Sequence, residues 1–319
     1  VSRGNELYAD RFSRGLEEVV PDLCRLDVYV NGRFVKGSEA MVAVWDHGFL
    51  YGDGVFEGIR AYDGKVFKLD EHLDRLFDSA KGIGLEPPLT KEELKEVILE
   101  TLRRNRLRDA HIRPIITRGV GGLGLDPRKC PTPTVVVMAY PFPKLLGEEP
   151  IRLTISSVRR KAPFSIDAKI KSLNYLDSIL AKLQAIVGGY DDAIMLDIMG
   201  YIAEASGENI FVVKRGELFT PPTTAALHGI TRATVIELAE REGFKVSEKL
   251  LTPQDLYAAD EVFLVGTATE VAPVAEIDGR KIGQEVPGPV TRRLMEVYQR
   301  YVRTEHVTPI PGLEGEERV

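Results

Sequence analysis

The chain has 319 residues, 44% of them apolar, which allows one large or two ordinary domains with a sizeable core and excludes wholesale disorder. Its 42 basic and 48 acidic side chains leave a net charge of −6, which argues against a nucleic-acid or anionic-membrane surface. Cys24 and Cys130 form no C-x-x-C pair and the five histidines no metal-ligand spacing, so neither a disulfide framework nor a zinc ribbon is expected, as fits a reducing cytoplasm.

Residues 1 to about 25 carry Arg3, Glu6, Asp10, Arg11 and Arg14, unlike a secretory signal, and read as a flexible extension with no assigned function. Asp27 to Val35 reads as a hairpin turning at Asn31-Gly32. Val55 to Tyr62 reads as a strand paired across Asp63-Gly64 with Val66-Phe67-Lys68. Helix Leu69 to Lys81 puts Leu69, Leu73, Leu76, Phe77 and Ala80 on one face, and helix Lys91 to Arg106 opens with the capping box Thr90/Glu93. Strands Ile112 to Thr117 and Thr134 to Ala139 complete a domain over residues 26–146; the longest apolar run, Val135 to Tyr140, is too short to cross a bilayer. After a linker at 147–150, strand Ile151 to Ser157 opens a second domain, 151–309. It holds strands at Ala193 to Leu196, Asn209 to Val213, Glu217 to Phe219 and Glu261 to Val265, and helices from Thr231 to Glu242 and from Pro289 to Val302. Mixed strands and helices in both halves predict a layered α/β (α+β) fold, and residues 310–319 read as a loose tail.

Leu173, Leu176, Ile179, Leu180, Leu183 and Val187 recur at helical spacing. This predicts a helix that opens across Lys169 to Leu176, runs to about Val187, and packs that face inward. Lys171, at its mouth, would lie near the positive end of the peptide dipoles, which disfavours the ammonium form and suits an amine to Schiff-base capture of a carbonyl. On spacing alone, a solvated lysine in an interdomain turn is the favoured reading, since lysines are mostly exposed. Gly119-Val120-Gly121-Gly122-Leu123-Gly124 matches G-x-G-x-x-G, but Pro127 and Pro131 forbid the helix a dinucleotide site needs, leaving a loop beside a ligand. Glu204 and Glu208 flank a turn. Leu227-His228-Gly229-Ile230-Thr231-Arg232 opens a helix whose free amides make an anion site or an ordinary cap, and Thr267-Ala268 leaves a strand end where ligands collect. Arg75 lies off the apolar face of its helix, which by periodicity alone places it in solvent.

Lys171-Ser172-Leu173-Asn174-Tyr175-Leu176 resembles the cofactor-lysine motif of the class IV pyridoxal-phosphate aminotransferases, and among these the branched-chain amino acid aminotransferases. Further blocks carry the likeness from about Val28 to about Arg303. The resemblance implies a two-domain fold type IV enzyme with a small N-terminal and a larger C-terminal domain. It also implies pyridoxal 5′-phosphate bound to Lys171 rather than Lys169, amino acids and 2-oxo acids as small-molecule partners, and a homodimer at least. Ala203-Glu204-Ala205-Ser206-Gly207-Glu208-Asn209-Ile210 resembles the block whose first acid, here Glu204, meets the pyridine nitrogen. Arg75, Gly229, Ile230, Thr231 and Thr267 map to the phosphate seat, Leu227 to the ring face, and Tyr175 to a hydroxyl beside the ring oxygen. Phe56-Glu57-Gly58-Ile59-Arg60 resembles the substrate strand of the branched-chain enzymes, carrying Phe56, Arg60 and, from this copy or a second, Tyr51. The glycine loop carries Leu125 toward that second copy's site.

His111-Ile112-Arg113-Pro114 is similar to Tyr-Ile-Arg-Pro, with Arg113 for the side-chain carboxylate of glutamate or 2-oxoglutarate; His111 departs from the usual tyrosine. Ala268 and Thr267 would offer amides to the α-carboxylate. The implied activity is transfer of the amino group of leucine, isoleucine or valine to 2-oxoglutarate. Alternatives on the same fold are a D-amino-acid or (R)-amine transaminase with Arg118 as anchor, an aminodeoxychorismate lyase, and a cofactor-binding protein without turnover.

Overall fold

The computed structural model describes residues 23–141, 146 and 149–313; the N-terminal extension up to residue 22, part of the expected linker and residues 314–319 lie outside them. Two sheets organise the described residues. The first contains β1 (Asp27–Val30), β2 (Arg33–Lys36), β3 (Gly54–Phe56), β4 (Ile59–Tyr62), β5 (Lys65–Phe67), β6 (Ala110–Thr117) and β7 (Thr134–Tyr140). The second contains β8 (Ile151–Arg159), β9 (Asp192–Leu196), β10 (Ile202–Ala205), β11 (Asn209–Lys214), β12 (Glu217–Thr220), β13 (Val246–Glu248), β14 (Glu261–Gly266), β15 (Glu270–Ile277) and β16 (Arg280–Lys281). A last strand, β17 (Val307–Pro309), returns to the first sheet, whose order is β17-β5-β4-β6-β7-β1-β2 with β3 also on β6. The second runs β10-β9-β8-β15-β14-β11-β12-β13, with β16 on β15.

Local chemistry accounts for these elements. Asn31 and Gly32 take φ of 48° and 88°, the positive pair a tight hairpin requires between β1 and β2. The helices are α1 (His47–Tyr51), α2 (Leu69–Gly82), α3 (Lys91–Arg104), α4 (Leu176–Val187), α5 (Ile230–Arg241), α6 (Pro253–Tyr257) and α7 (Pro289–Thr304). The capping box at α3 is present on both sides, Thr90 accepting from the Glu93 amide and Glu93 from the Thr90 amide. Leu69, Leu73, Leu76 and Ala80 of α2 pack with Leu94, Ile98 and Leu102 of α3 on the first sheet. A second core lies between the other sheet and helices α5 and α7, through Phe211, Phe263, Val235, Leu294 and Tyr298.

Four expectations need correction. The strand read as continuous from Val55 to Tyr62 is two strands in one register on β6, with Phe56 opposite Ile115 and Ile59 opposite Ile112. Between them Pro114 has no N–H to give the ladder, although Glu57 still donates its amide to the Pro114 carbonyl at 3.0 Å. Helix α4 begins at Leu176, not near Lys169, and its large apolar residues do not face inward: Leu176 is 67% and Val187 81% exposed, with Ile179, Leu180 and Leu183 also outward. Ser178, Ala181 and Ala185 are the buried residues, because small side chains let the helix lie close on β8 and β9. Strands β10, β13, β15, β16 and β17 and helices α1 and α6 are additions to the elements read from the sequence. Finally, Ile310 and Leu313, in the segment read as loose, are buried in the first core.

Candidate active site

Lys171 is placed by a strand edge. Val55 and Ser172 form an antiparallel bridge, the Phe56 amide donates to the Lys171 carbonyl at 3.1 Å, and Leu173 donates to Gly54 at 2.9 Å. The Lys171 amide donates to Ser79 Oγ of α2 at 3.1 Å. Four residues separate Lys171 from the start of α4, so the dipole argument, which holds only within a helix's first turn, does not apply. Its Nζ donates to the Tyr175 hydroxyl at 3.2 Å and stands 4.7 Å from the Phe56 ring centroid. The Phe56 and Tyr175 rings meet edge to face at 5.3 Å, fixing both walls around the amine. Lys169, the competing amine, is exposed and outside this cavity.

The cavity, of about 440 Å³, lies where the two sheets meet and falls within the usual range for small-molecule sites. At one end the buried Glu204 carboxylate takes a 2.6 Å hydrogen bond from Arg160 Nε, while its other oxygen accepts from Asn209 Nδ2 at 3.2 Å and the Leu227 amide at 3.0 Å. Burial disfavours the charge on Arg160, but Glu204 and Asp177 outweigh it and hold the guanidinium more firmly charged than usual. Arg160 and Asn209 are functional neighbours the sequence did not disclose; an arginine in the middle of Arg159-Arg160-Lys161 looks like any basic strand end.

At the opposite end are the first turn of α5 and Arg75. Ala233 makes the first amide bond inside α5, to the Gly229 carbonyl, so the amides of Ile230 and Thr231 have no acceptor within the helix. Arg75 donates from Nη1 to the His228 carbonyl at 2.7 Å and forks onto Glu57, Nε to Oε1 at 2.7 Å and Nη2 to Oε2 at 2.8 Å. Periodicity places this arginine in solvent; its side chain is only 13% exposed, because Glu57, between β3 and β4, gives it a polar partner inside. Burial alone would raise the Glu57 carboxyl, but Arg75 and His72 hold it well below the usual carboxylate range. Thr267 and Ala268 line the same cavity from the β14–β15 turn.

Toward the first sheet, Phe56, His111 and Arg113 line the wall, with the Arg113 guanidinium 4.7 Å from the Phe56 ring centroid. Burial, with Arg113 and Arg60 nearby, lowers His111 to about 3, so the imidazole is neutral at working pH. Arg113 can only donate, so at 3.3 Å the neutral His111 Nε2 accepts from its Nη2. Of the residues read from the sequence, Arg75, Lys171, Tyr175, Glu204, Leu227, Gly229, Ile230, Thr231, Thr267, Ala268, Phe56, His111 and Arg113 are gathered here. Tyr51, Arg60 and Leu125 do not line the cavity of this chain. Tyr51 accepts a hydrogen bond from the Gly124 amide, Leu125 projects outward, and the buried Arg60 lies over Tyr62. Arg118 is also elsewhere, forked onto Asp53 and donating to the carbonyls of Ile83 and Gly84.

Behind the Gly207–Gly266 wall, Glu208 is hydrogen-bonded to Asp192 and accepts from Thr269 Oγ1 at 2.9 Å. Burial, then the Asp192 charge, pushes its carboxyl up to about 8. A carboxyl raised when folded contributes stability fully present below its ordinary value of 4.5, and loses it as pH rises toward 8. Glu208→Gln keeps a donor toward Asp192 without the proton. It is expected to exceed the unsubstituted chain in stability by roughly 2 kcal/mol above pH 8, and to lose that advantage near pH 5, as thermal unfolding across pH would measure.

The donor set fits a phosphorylated pyridine aldehyde: an amine, a buried carboxylate and an anion seat around one cavity. Residues 54–277 match the amino-transferase class IV family. A Methanocaldococcus jannaschii protein provisionally named a branched-chain-amino-acid aminotransferase is 56% identical over 275 residues, 86% of this chain and 96% of the relative. The Thermoproteus uzoniensis branched-chain aminotransferase, solved with norvaline, superposes with a TM-score of 0.85 at 43% identity, covering 89% of this chain and 99% of that one. The T.th. branched-chain amino acid aminotransferase, solved with N-(5′-phosphopyridoxyl)-L-glutamate, gives 0.85 at 41% identity, covering 90% and 99%. By descent, then, as well as by the amine, carboxylate and anion seat of its cavity, the chain belongs to the class IV aminotransferases, the pyridoxal-phosphate-dependent enzymes of fold type IV.

Proposed function

We infer that the enzyme transfers the amino group of L-leucine, L-isoleucine or L-valine to 2-oxoglutarate, giving the branched 2-oxo acid and L-glutamate. The observation that carries this is Lys171 Nζ between the Phe56 and Tyr175 rings, in one cavity with Glu204 at one end and the α5 amides at the other. The names of the relatives supply the substrate class. When bound, the cofactor supplies an electron-withdrawing ring that takes up the electron pair left when the substrate Cα–H bond breaks.

The chain's own residues do the rest. Lys171 is the attachment point through Nζ; once displaced, the same amine would take the proton from Cα and return it to the cofactor carbon on the other side of the transferred nitrogen. Tyr175, within hydrogen-bond reach, keeps that amine aimed. Glu204, braced by Arg160 and Asn209, presents negative charge to the ring nitrogen. Arg75, the amides of Ile230 and Thr231, and Thr267 hold the phosphate, and Leu227 packs on the ring. The Thr267 and Ala268 amides take the α-carboxylate.

Phe56 with the neutral His111 gives branched side chains an uncharged wall, while Arg113 meets the distal carboxylate of glutamate. Arg113→Met is therefore expected to raise the KM for glutamate about 10- to 100-fold and leave that for leucine within about threefold, read from steady-state kinetics with each substrate. The outward apolar face of α4 and the exposed loop around Leu125 support assembly of two copies, with Tyr51 and Leu125 of each completing the other's site. Incubation with L-leucine and 2-oxoglutarate should yield glutamate. An inert L-leucine alongside a reactive D-alanine would overturn the reading. Arg118, the anchor a D-amino-acid enzyme would need, already gives four of its five N–H donors to Asp53, Ile83 and Gly84.

A further inference from the structure

Glu57 is fully buried and follows directly on Phe56, whose amide bonds the Lys171 carbonyl. Its side chain turns the other way, toward α2. Oε1 accepts from Arg75 Nε at 2.7 Å, and Oε2 accepts from Arg75 Nη2 at 2.8 Å and from His72 Nδ1 at 2.8 Å. Its position is therefore over-determined: the backbone by β6 through Pro114, the carboxylate by two side chains one turn apart on α2. Burial keeps His72 below its usual pKa despite the pull of Glu57, so the imidazole orients the carboxylate without cancelling its charge.

A guanidinium carries five N–H donors. Glu57 takes two from Arg75 and the His228 carbonyl takes a third, on the turn that opens α5. One N–H on each terminal nitrogen is left, a pair suited to a bidentate oxyanion. An arginine on the polar side of a surface helix would otherwise hold many rotamers and lose that freedom on binding. Here the freedom is removed beforehand, by a residue that reaches neither the amine nor the ring position.

We propose that Glu57 is a positioning residue for the cofactor phosphate: by forking onto Arg75 it holds that guanidinium at the anion seat, and it acts on the phosphate alone. This rests on Arg75 being the phosphate arginine. The test compares binding of pyridoxal 5′-phosphate and of pyridoxal, which has the same aldehyde and no phosphate, to the full chain freed of cofactor, followed by absorbance. Glu57→Gln should weaken binding of the phosphorylated form roughly tenfold or more and change pyridoxal binding by less than about twofold.

In an Arg75→Ala background, Glu57→Gln should add nothing. Equal loss for both ligands would mean Glu57 only supports the fold, and would overturn the proposal. So would an unchanged ratio in Glu57→Gln beside a collapsed ratio in Arg75→Ala. If Arg75→Ala itself leaves the ratio unchanged, the assignment of Arg75 to the phosphate fails first. Should Glu57→Gln not accumulate as folded protein, Glu57→Asp, which keeps the charge on a shorter arm, should shift the same ratio in the same direction, and an unshifted ratio there overturns the proposal equally.

Discussion

Lys171→Ala is expected to lower transamination of L-leucine by about 10⁴-fold or more, since it removes at once the attachment point and the proton carrier. The variant should still fold. Lys171 is held in place by backbone contacts to Phe56 and Ser79, which alanine retains, and its Nζ gives a side-chain hydrogen bond to Tyr175 rather than to any part of the core. It should also bind the cofactor without a covalent bond, so that denaturation in borohydride leaves no label on the chain. No other lysine lines the cavity among the described residues: Lys169 is exposed and Lys161 lies across the Tyr175 ring, 5.4 Å from its centroid. Full activity in Lys171→Ala would place the chemistry elsewhere.

The second large effect is at Glu204. Replacing it with glutamine keeps the size and most hydrogen bonds but removes the charge facing the ring nitrogen, and turnover should fall about 10²- to 10³-fold while bound cofactor is retained. The same change leaves Arg160 buried with only Asp177 to balance it, so thermal stability should drop as well, on the order of 3 kcal/mol. The two effects separate by measurement: stability from unfolding of the cofactor-free chain, turnover per bound cofactor from single-turnover absorbance. Unchanged turnover per bound cofactor would remove Glu204 from the chemistry.

The sequence carried the architecture where patterning is simple. Asn31-Gly32, the Thr90/Glu93 box and the apolar stripe of α2 each have one physical reading. It misled where a polar group is satisfied from another element. Arg75 looks solvent-facing on a helical wheel, since the wheel treats an interior as apolar and cannot know that Glu57 arrives from the break between β3 and β4. Arg160 and Asn209 escaped notice for the same reason: their roles exist only once Glu204 is brought beside them. At α4, periodicity identified which apolar residues share a face but not what covers it. Ser178, Ala181 and Ala185 make the close contact within the chain, and the larger residues are left outward. Tyr51 and Leu125, carried from resemblance alone, lie away from this chain's own cavity.

The strand β17 has a consequence for biogenesis. It pairs with β5 through Val307 on Phe67 and Pro309 on Lys65, and Ile310 and Leu313 then enter the core built by residues 29–139. During translation the first sheet therefore waits, one margin unzipped, until residues 307–313 have left the ribosome. A fragment stopped at residue 146 would present β5 as a bare edge beside an apolar gap, the combination that invites strand-to-strand aggregation.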